Sequence, residues 1–167
     1  MSNQILNTKW TLWYHYDVNL WTAHSFKLLC TITTIDDFWS MVKALQENSC
    51  IIIEHLYLMR DGVLPMWEDK ANRNGGCWSI KVDIKDSFQI FIKIVMYAIS
   101  ETLLLKDKEN ISNEITGISL CQKNNYNSVL QIWSSNSKNN KITYLHKAIA
   151  SEYGYEILFR PHIPEFD

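Results

Sequence analysis

LPMWEDKANRNGGCW, residues 64–78, is the stretch from which the chain is best read. Trp67 lies two residues after Pro65, in a segment that disfavours helix. Gly75-Gly76 marks a turn, and CWSIKVDI (77–84) alternates like a strand. The segment therefore sets an aromatic plate and a carboxylate, Trp67 and Glu68, side by side on a loop between strands. Glu68-Asp69 alone would read as a solvated turn. Beside Trp67, the pair reads as a recognition element.

Outward from this loop, strand-like runs occur at 9–16, 26–33, 50–59, 114–121, 127–135 and 155–160. Three helices fit between them. The first follows Thr34-x-x-Asp37, a capping box, with Phe38, Val42 and Leu45 as its core stripe. The second is predicted over about 86–105, with Phe88, Phe91, Ile92, Val95 and Ile99 as its apolar face. The third is predicted in TYLHKAIASEYG (143–154), between Thr143 as N-cap and Gly154 as stop. This order predicts an α+β fold: one curved, mainly antiparallel sheet, with helices on one face and the other face open.

At 167 residues the chain is read as a single domain, 1–167, able to bury a core without disulfides. A formal charge of −2 provides no global basic field, so a nucleic-acid ligand would be gripped locally. Cys30, Cys50, Cys77 and Cys121 form no C-x-x-C pair, which predicts reduced, mostly buried thiols in a cytosolic or nuclear setting. The longest apolar stretch is broken by Lys93 and too short to span a bilayer, and residues 1–10 carry no apolar signal region. A soluble cytoplasmic protein is expected. No cofactor, metal-ligand spacing or nucleophile–base pairing is visible, and His15, His24, His55, His146 and His162 are read as structural or surface residues.

Seven tryptophans are the compositional anomaly. Trp10, Trp13, Trp39, Trp78 and Trp133 fall inside predicted strands or helices, where packing is the ordinary role. Trp21 and Trp67 fall on loops, where stacking on a planar ligand competes with packing. Stacking contributes about 1–3 kcal/mol per base, and a cationic ring gains a further ~0.5–2 kcal/mol. A carboxylate only accepts, so Glu68 pairs best with an edge offering two adjacent donors, such as guanine N1–H and N2–H₂. Two plates and one carboxylate thus point to guanine, preferably guanine made positive by alkylation.

The motifs W-x-L-W-Y (10–14), D-D-F-W (36–39), P-M-W-E-D (65–69), G-G-x-W (75–78) and I-W-S (132–134) resemble the eukaryotic translation initiation factor 4E family, which binds the 7-methylguanosine cap of mRNA. The order and spacing hold from about residue 6 to residue 160. The resemblance implies a cupped sheet of about eight strands backed by three helices, with the cap in a concave slot. It implies that Trp21 and Trp67 sandwich the methylated base, that Glu68 takes the N1 and N2 donors, and that the Trp67 amide donates to O6. Trp133 matches the position that contacts the N7-methyl group, and Lys123 matches a phosphate-binding position.

The resemblance breaks at the phosphate clamp. Cys77 stands where G-G-R-W has arginine, and Val129 stands where a basic residue is usual. Lys81, on the same strand face as Cys77, reads as ordinary surface charge. Two lost charged contacts, at about 1.5–3 kcal/mol each, would weaken triphosphate binding unless energy comes from elsewhere. Contacts of the Asn124, Asn125, Tyr126 and Asn127 rim with the first transcribed nucleotide are one such source. On the implied partner face, Ile35 and Trp39 match one helix, and Ile92 and Met96 match leucines on the next. Lys93 replaces a glutamate there, which suggests an altered partner. The expected partners are capped mRNA and a scaffold protein of the initiation factor 4F type, or a repressor with a short binding helix, engaged by a monomer in a heteromeric complex. The alternatives are a cap-binding repressor or decoy, and an interaction module that has lost cap affinity.

Overall fold

The computed structural model describes residues 3–17, 19–48, 55–152 and 157–162. Its main sheet has seven strands in the order β2-β1-β3-β7-β8-β4-β9, every neighbouring pair antiparallel. These are β1 (Ile5–His15), β2 (Phe26–Thr34), β3 (His55–Arg60), β4 (Gly76–Asp83), β7 (Ile115–Gln122), β8 (Asn127–Ser134) and β9 (Ile157–Pro161). Two short strands, β5 (Leu105–Lys106) and β6 (Glu109–Asn110), form a separate ribbon. The expected α+β architecture holds, with seven strands in the sheet and two in the ribbon. Residues 50–54 and 155–156 of the anticipated strands lie outside the described residues.

Directly paired residues of an antiparallel sheet share a face, and successive residues alternate between faces. The pairings Leu12–Leu58–Ile118–Ile132–Trp78 therefore set one apolar row across five strands. This face carries the main core: Trp10, Leu58, Trp78, Ile80, Ile118 and Leu130 are fully buried in it. Against it pack α1 (Ile35–Glu47), α2 (Ile84–Ile99) and the short α3 (Lys147–Ala150). The offset rows, such as Trp13–Tyr57–Ser119–Gln131–Ser79, face the other way, toward the open side.

The first helix forms as its sequence anticipates. Thr34 Oγ1 accepts from the Asp37 amide at 3.1 Å, and Asp37 accepts in return from the Thr34 amide at 2.9 Å. Hydrogen bonds from the Thr33 hydroxyl and amide and from Thr34 lower the Asp37 pKa to about 2. The second helix differs from expectation in length and phase. It ends at Ile99, and its buried face is Ser87, Ile90, Phe91, Ile94, Val95, Ala98 and Ile99, leaving Phe88 and Ile92 half-buried at the margin. The stop is tertiary. Glu101 takes a left-handed φ of 56°, and both its carboxylate oxygens accept from Arg60 at 2.7 Å. The third helix begins after His146, whose Nδ1 accepts from the Ala148 amide at 3.2 Å. Thr143 instead belongs to a 3₁₀ turn, Ile142–Tyr144. Gly154 lies outside the described residues.

Gly75 and Gly76 are required by close approach, since neither has a positive φ. A Cβ on Gly75 would fall 1.7 Å from the Ser134 carbonyl oxygen. One on Gly76 would fall 2.5 Å from the Arg160 carbonyl oxygen. The pair lets β4 slot between β8 and β9 directly behind the 64–75 loop. Gly75→Ala is expected to destabilise the protein by at least about 2 kcal/mol, the scale of overpacking a closed site. A lower urea midpoint with unchanged slope would show it; an unchanged midpoint would contradict the close approach.

Candidate functional site

The loop that carries Trp67 and Glu68 is held by two polar side chains turned inward. Asp69 Oδ2 accepts from the Leu64 amide at 3.1 Å, and Oδ1 from the Ala71 amide at 2.8 Å. Asn72 is fully buried and donates from Nδ2 to the Leu64 and Met66 carbonyls, at 3.1 and 2.8 Å. Its own carbonyl accepts from the Gly75 amide and from His162 Nδ1, both at 2.8 Å. With the backbone tied down in this way, Trp67 projects outward at 53% exposure. Glu68 is exposed and makes no hydrogen bond among the described residues.

Trp21 supplies the opposite wall, from the connection between β1 and β2. Its ring stacks on His15, with centroids 4.2 Å apart and planes 24° apart. His15 is buried, and its Nε2 donates to the Leu20 carbonyl at 2.9 Å, which fixes the ring under Trp21. Trp21 is 56% exposed, so the ring face away from His15 remains available. His15, read from the sequence as structural or surface, thus backs one wall.

Between the walls lies a cavity of about 500 Å³, lined by Trp21, Trp67, Glu68, Trp133 and Lys123 among others. All five residues assigned to base and phosphate recognition therefore meet in one place. The floor comes from the open-side rows: Phe26, Tyr57, Cys121, Gln131 and Trp133. Trp133 Nε1 donates to Ser119 Oγ at 3.0 Å, which locks the indole in place. Burial pushes the Tyr57 hydroxyl and the Cys121 thiol above their ordinary pKa values, and the thiol donates to the hydroxyl at 3.3 Å. The floor is neutral, and the charges sit at its rim. At the β7–β8 hairpin, Asn124 Oδ1 accepts from the Tyr126 and Asn127 amides at 2.8 Å, so it closes the turn, while Tyr126 stands 76% exposed.

A second, shallower groove of about 350 Å³ lies on the helical side. Ile35, Phe38 and Trp39 of α1 line it with Met96 and Ile99 of α2, Gln4, and Ile5–Asn7 at the start of β1. Ile35, Trp39 and Met96 sit together as expected, and Trp39 is half exposed. Two residues assigned to this face do not line the groove. Ile92 is half-buried and packs at the margin of the core, as its place in the apolar stripe of α2 anticipated, and Lys93 pairs with Glu152 at 2.5 Å.

His162 was missed as a site residue, because only the β4–β9 register brings it to the loop. Its ring lies 5.1 Å from the Trp133 ring. Burial lowers its pKa below 6.5, against the opposing pull of the Asn72 carbonyl and the Glu68 charge. As pH falls, the unfolded chain therefore takes up this proton before the folded protein does. The stabilisation from neutral His162 is complete above about pH 6.5 and is lost as pH falls through the lower folded value. His162→Gln should flatten the fall in Tm between pH 7 and pH 5 relative to wild type. Parallel Tm profiles for the two proteins would contradict this placement.

Comparison with known proteins agrees with this geometry. The model of the family described as eukaryotic initiation factor 4E matches residues 5–160. The chain is 31% identical over 104 residues to translation initiation factor 4E of Saccharomyces cerevisiae, covering 59% of this chain and 49% of that protein. It is 28% identical over 125 residues to the factor 4E homolog of Acanthamoeba polyphaga mimivirus, covering 62% of this chain and 46% of that protein. These matches thus span about half the length of those two relatives. Among solved structures, Caenorhabditis elegans eIF4E-3, in complex with the 4E-binding protein Mextli and a cap analog, superposes with a TM-score of 0.80 at 20% identity, covering 96% of this chain and 94% of that one. Ascaris suum eIF4E-3 with an m2,2,7G cap superposes with a TM-score of 0.77 at 23% identity, covering 99% and 95%. With the family model matched across nearly the whole chain and the fold shared with these structures, the chain belongs to the eukaryotic initiation factor 4E family.

Proposed function

We propose that the protein binds the 7-methylguanosine 5′ cap of mRNA and brings it to translation initiation in the cytoplasm, residues 1–167 acting as one cap-binding domain. The observation that carries this reading is the convergence of Trp21, Trp67, Glu68 and Trp133 on one cavity with a neutral floor. The base stacks between Trp21 and Trp67. Glu68, which makes no hydrogen bond among the described residues, accepts from N1–H and N2–H₂. N7-methylation gives the base a positive charge, which strengthens its stacking on electron-rich indoles. Trp133 faces the methyl group, and Lys123 meets the phosphates at the rim. The reaction is recognition alone, with no bond made or broken.

The 350 Å³ groove takes an apolar face of a short helix from a scaffold or repressor protein. Ile35, Trp39 and Met96 are its anchors. The Lys93–Glu152 ion pair removes Lys93 from the groove, so the partner is chosen mainly by apolar shape rather than by charge at that position.

Tryptophan fluorescence titrated with 7-methyl-GTP tests the cap reading. Trp67→Ala should weaken binding by about 1–3 kcal/mol, roughly fivefold to 150-fold. Glu68→Gln should lose about 1.5–3 kcal/mol. Wild-type-like affinity in both variants would refute the slot. For the groove, Trp39→Ala should weaken binding of an amphipathic helical peptide by about 2 kcal/mol or more and leave the 7-methyl-GTP titration unchanged. A joint loss of both would mean that the substitution damaged the fold.

A further inference from the structure

Beyond Trp133 the open face carries the small, neutral Cys77, and the strand register brings Arg160 to the same face on the edge strand. Across the open face, Trp133 of β8 pairs with Cys77 of β4, and Cys77 pairs with Arg160 of β9. Three directly paired residues share one face. Arg160 is therefore on the same side of the sheet as Trp133, two strand spacings away, about 9.5 Å. Cys77, the residue between them, has a small buried side chain. The rest of this floor is neutral: Gln131 Nε2 donates to Ser79 Oγ at 3.3 Å and lies 3.4 Å from Cys77 Sγ, and Gln131 Oε1 accepts from Ser119 at 3.4 Å.

Two further observations bear on Arg160. Its charge opposes the burial-driven rise of the Cys77 thiol pKa, so its field reaches the floor. It is exposed and forms no ion pair among the described residues, as is also true of Arg73, Lys81 and Lys123, but Arg160 alone of these is paired in register with Cys77. An unpaired guanidinium beside a neutral floor presents a donor fork suited to phosphate oxygens.

We infer that Arg160 is a phosphate-binding residue of the slot, delivering from the edge strand β9 the guanidinium that position 77 lacks. This rests on the cap-binding reading. With guanine's N1–N2 edge on Glu68, the ribose leaves from the opposite side of the base. The 5′,5′-polyphosphate then crosses the neutral floor between Lys123 on the β7 side and Arg160 on the β9 side.

The test compares 7-methylguanosine with 7-methyl-GTP by tryptophan quenching on wild type, Arg160→Gln, Arg160→Lys, Lys81→Gln and the double variant Arg160→Gln with Cys77→Arg. Arg160→Gln should weaken 7-methyl-GTP roughly tenfold to a hundredfold and leave 7-methylguanosine unchanged. Arg160→Lys should lose less, and Cys77→Arg should restore triphosphate binding in the Arg160→Gln background, which a merely structural role would not allow. Wild-type 7-methyl-GTP affinity in Arg160→Gln overturns the inference. So does an equal loss for nucleoside and triphosphate, or a loss carried by Lys81→Gln instead. If wild type binds neither ligand, the cap reading itself fails, which is a different result from a wild type that binds both and an Arg160 variant that does not differ.

Discussion

Two-residue alternation along antiparallel strands is the constraint on which everything else here depends. It sorts the tryptophans before any ligand is considered. Trp10 and Trp78 point into the helix-covered core and are fully buried, while Trp133, on the neighbouring strand to Trp78 and one register step away, points to the open side. A shift of one residue between β4 and β8 would exchange these faces. It would expose the core and remove the floor of the slot together. The fully paired run from Gly76–Ser134 to Asp83–Asn127 is what fixes that register.

On this frame, the two walls of the slot are built by different means. Trp67 is carried by a loop whose backbone is held by Asp69 and by buried Asn72, and Trp21 by stacking on buried His15. In each case the aromatic ring is held from within, and its outer surface is what remains exposed. Such preorganisation lowers the ordering cost of binding. Glu68 stands exposed at the edge of this slot, with no hydrogen bond among the described residues.

Local signals were readable in the sequence, and long-range ones were not. Thr34 and Asp37 cap α1 through neighbours three residues apart, so the start and buried stripe of that helix follow from the sequence itself. Trp67 and Glu68 stood out because a proline and a double glycine bracket them. The end of α2 did not, because it depends on Arg60 reaching Glu101 from β3, and nothing within residues 100–105 records that contact. The family resemblance gives Ile92 to the groove and the helical spacing gives it to the core, and it packs at the margin of the core. His162 and Arg160 escaped notice for a related reason. Their places beside Asn72 and Cys77 arise from the pairing of β9 with β4, and a short terminal strand gives no sequence clue to its partner.

On the proposed function, one face of the sheet binds a methylated guanine while the other is closed core. A two-dimensional ¹⁵N–¹H NMR titration of the tryptophan indole resonances with 7-methyl-GTP, and in parallel with GTP, tests this. Large shifts are expected at Trp21, Trp67 and Trp133 with the methylated ligand, much smaller ones with GTP, and none at Trp10, Trp78 or Trp39. Shifts confined to Trp39, equal responses to both ligands, or no response of Trp21 and Trp67 at saturating ligand would contradict it.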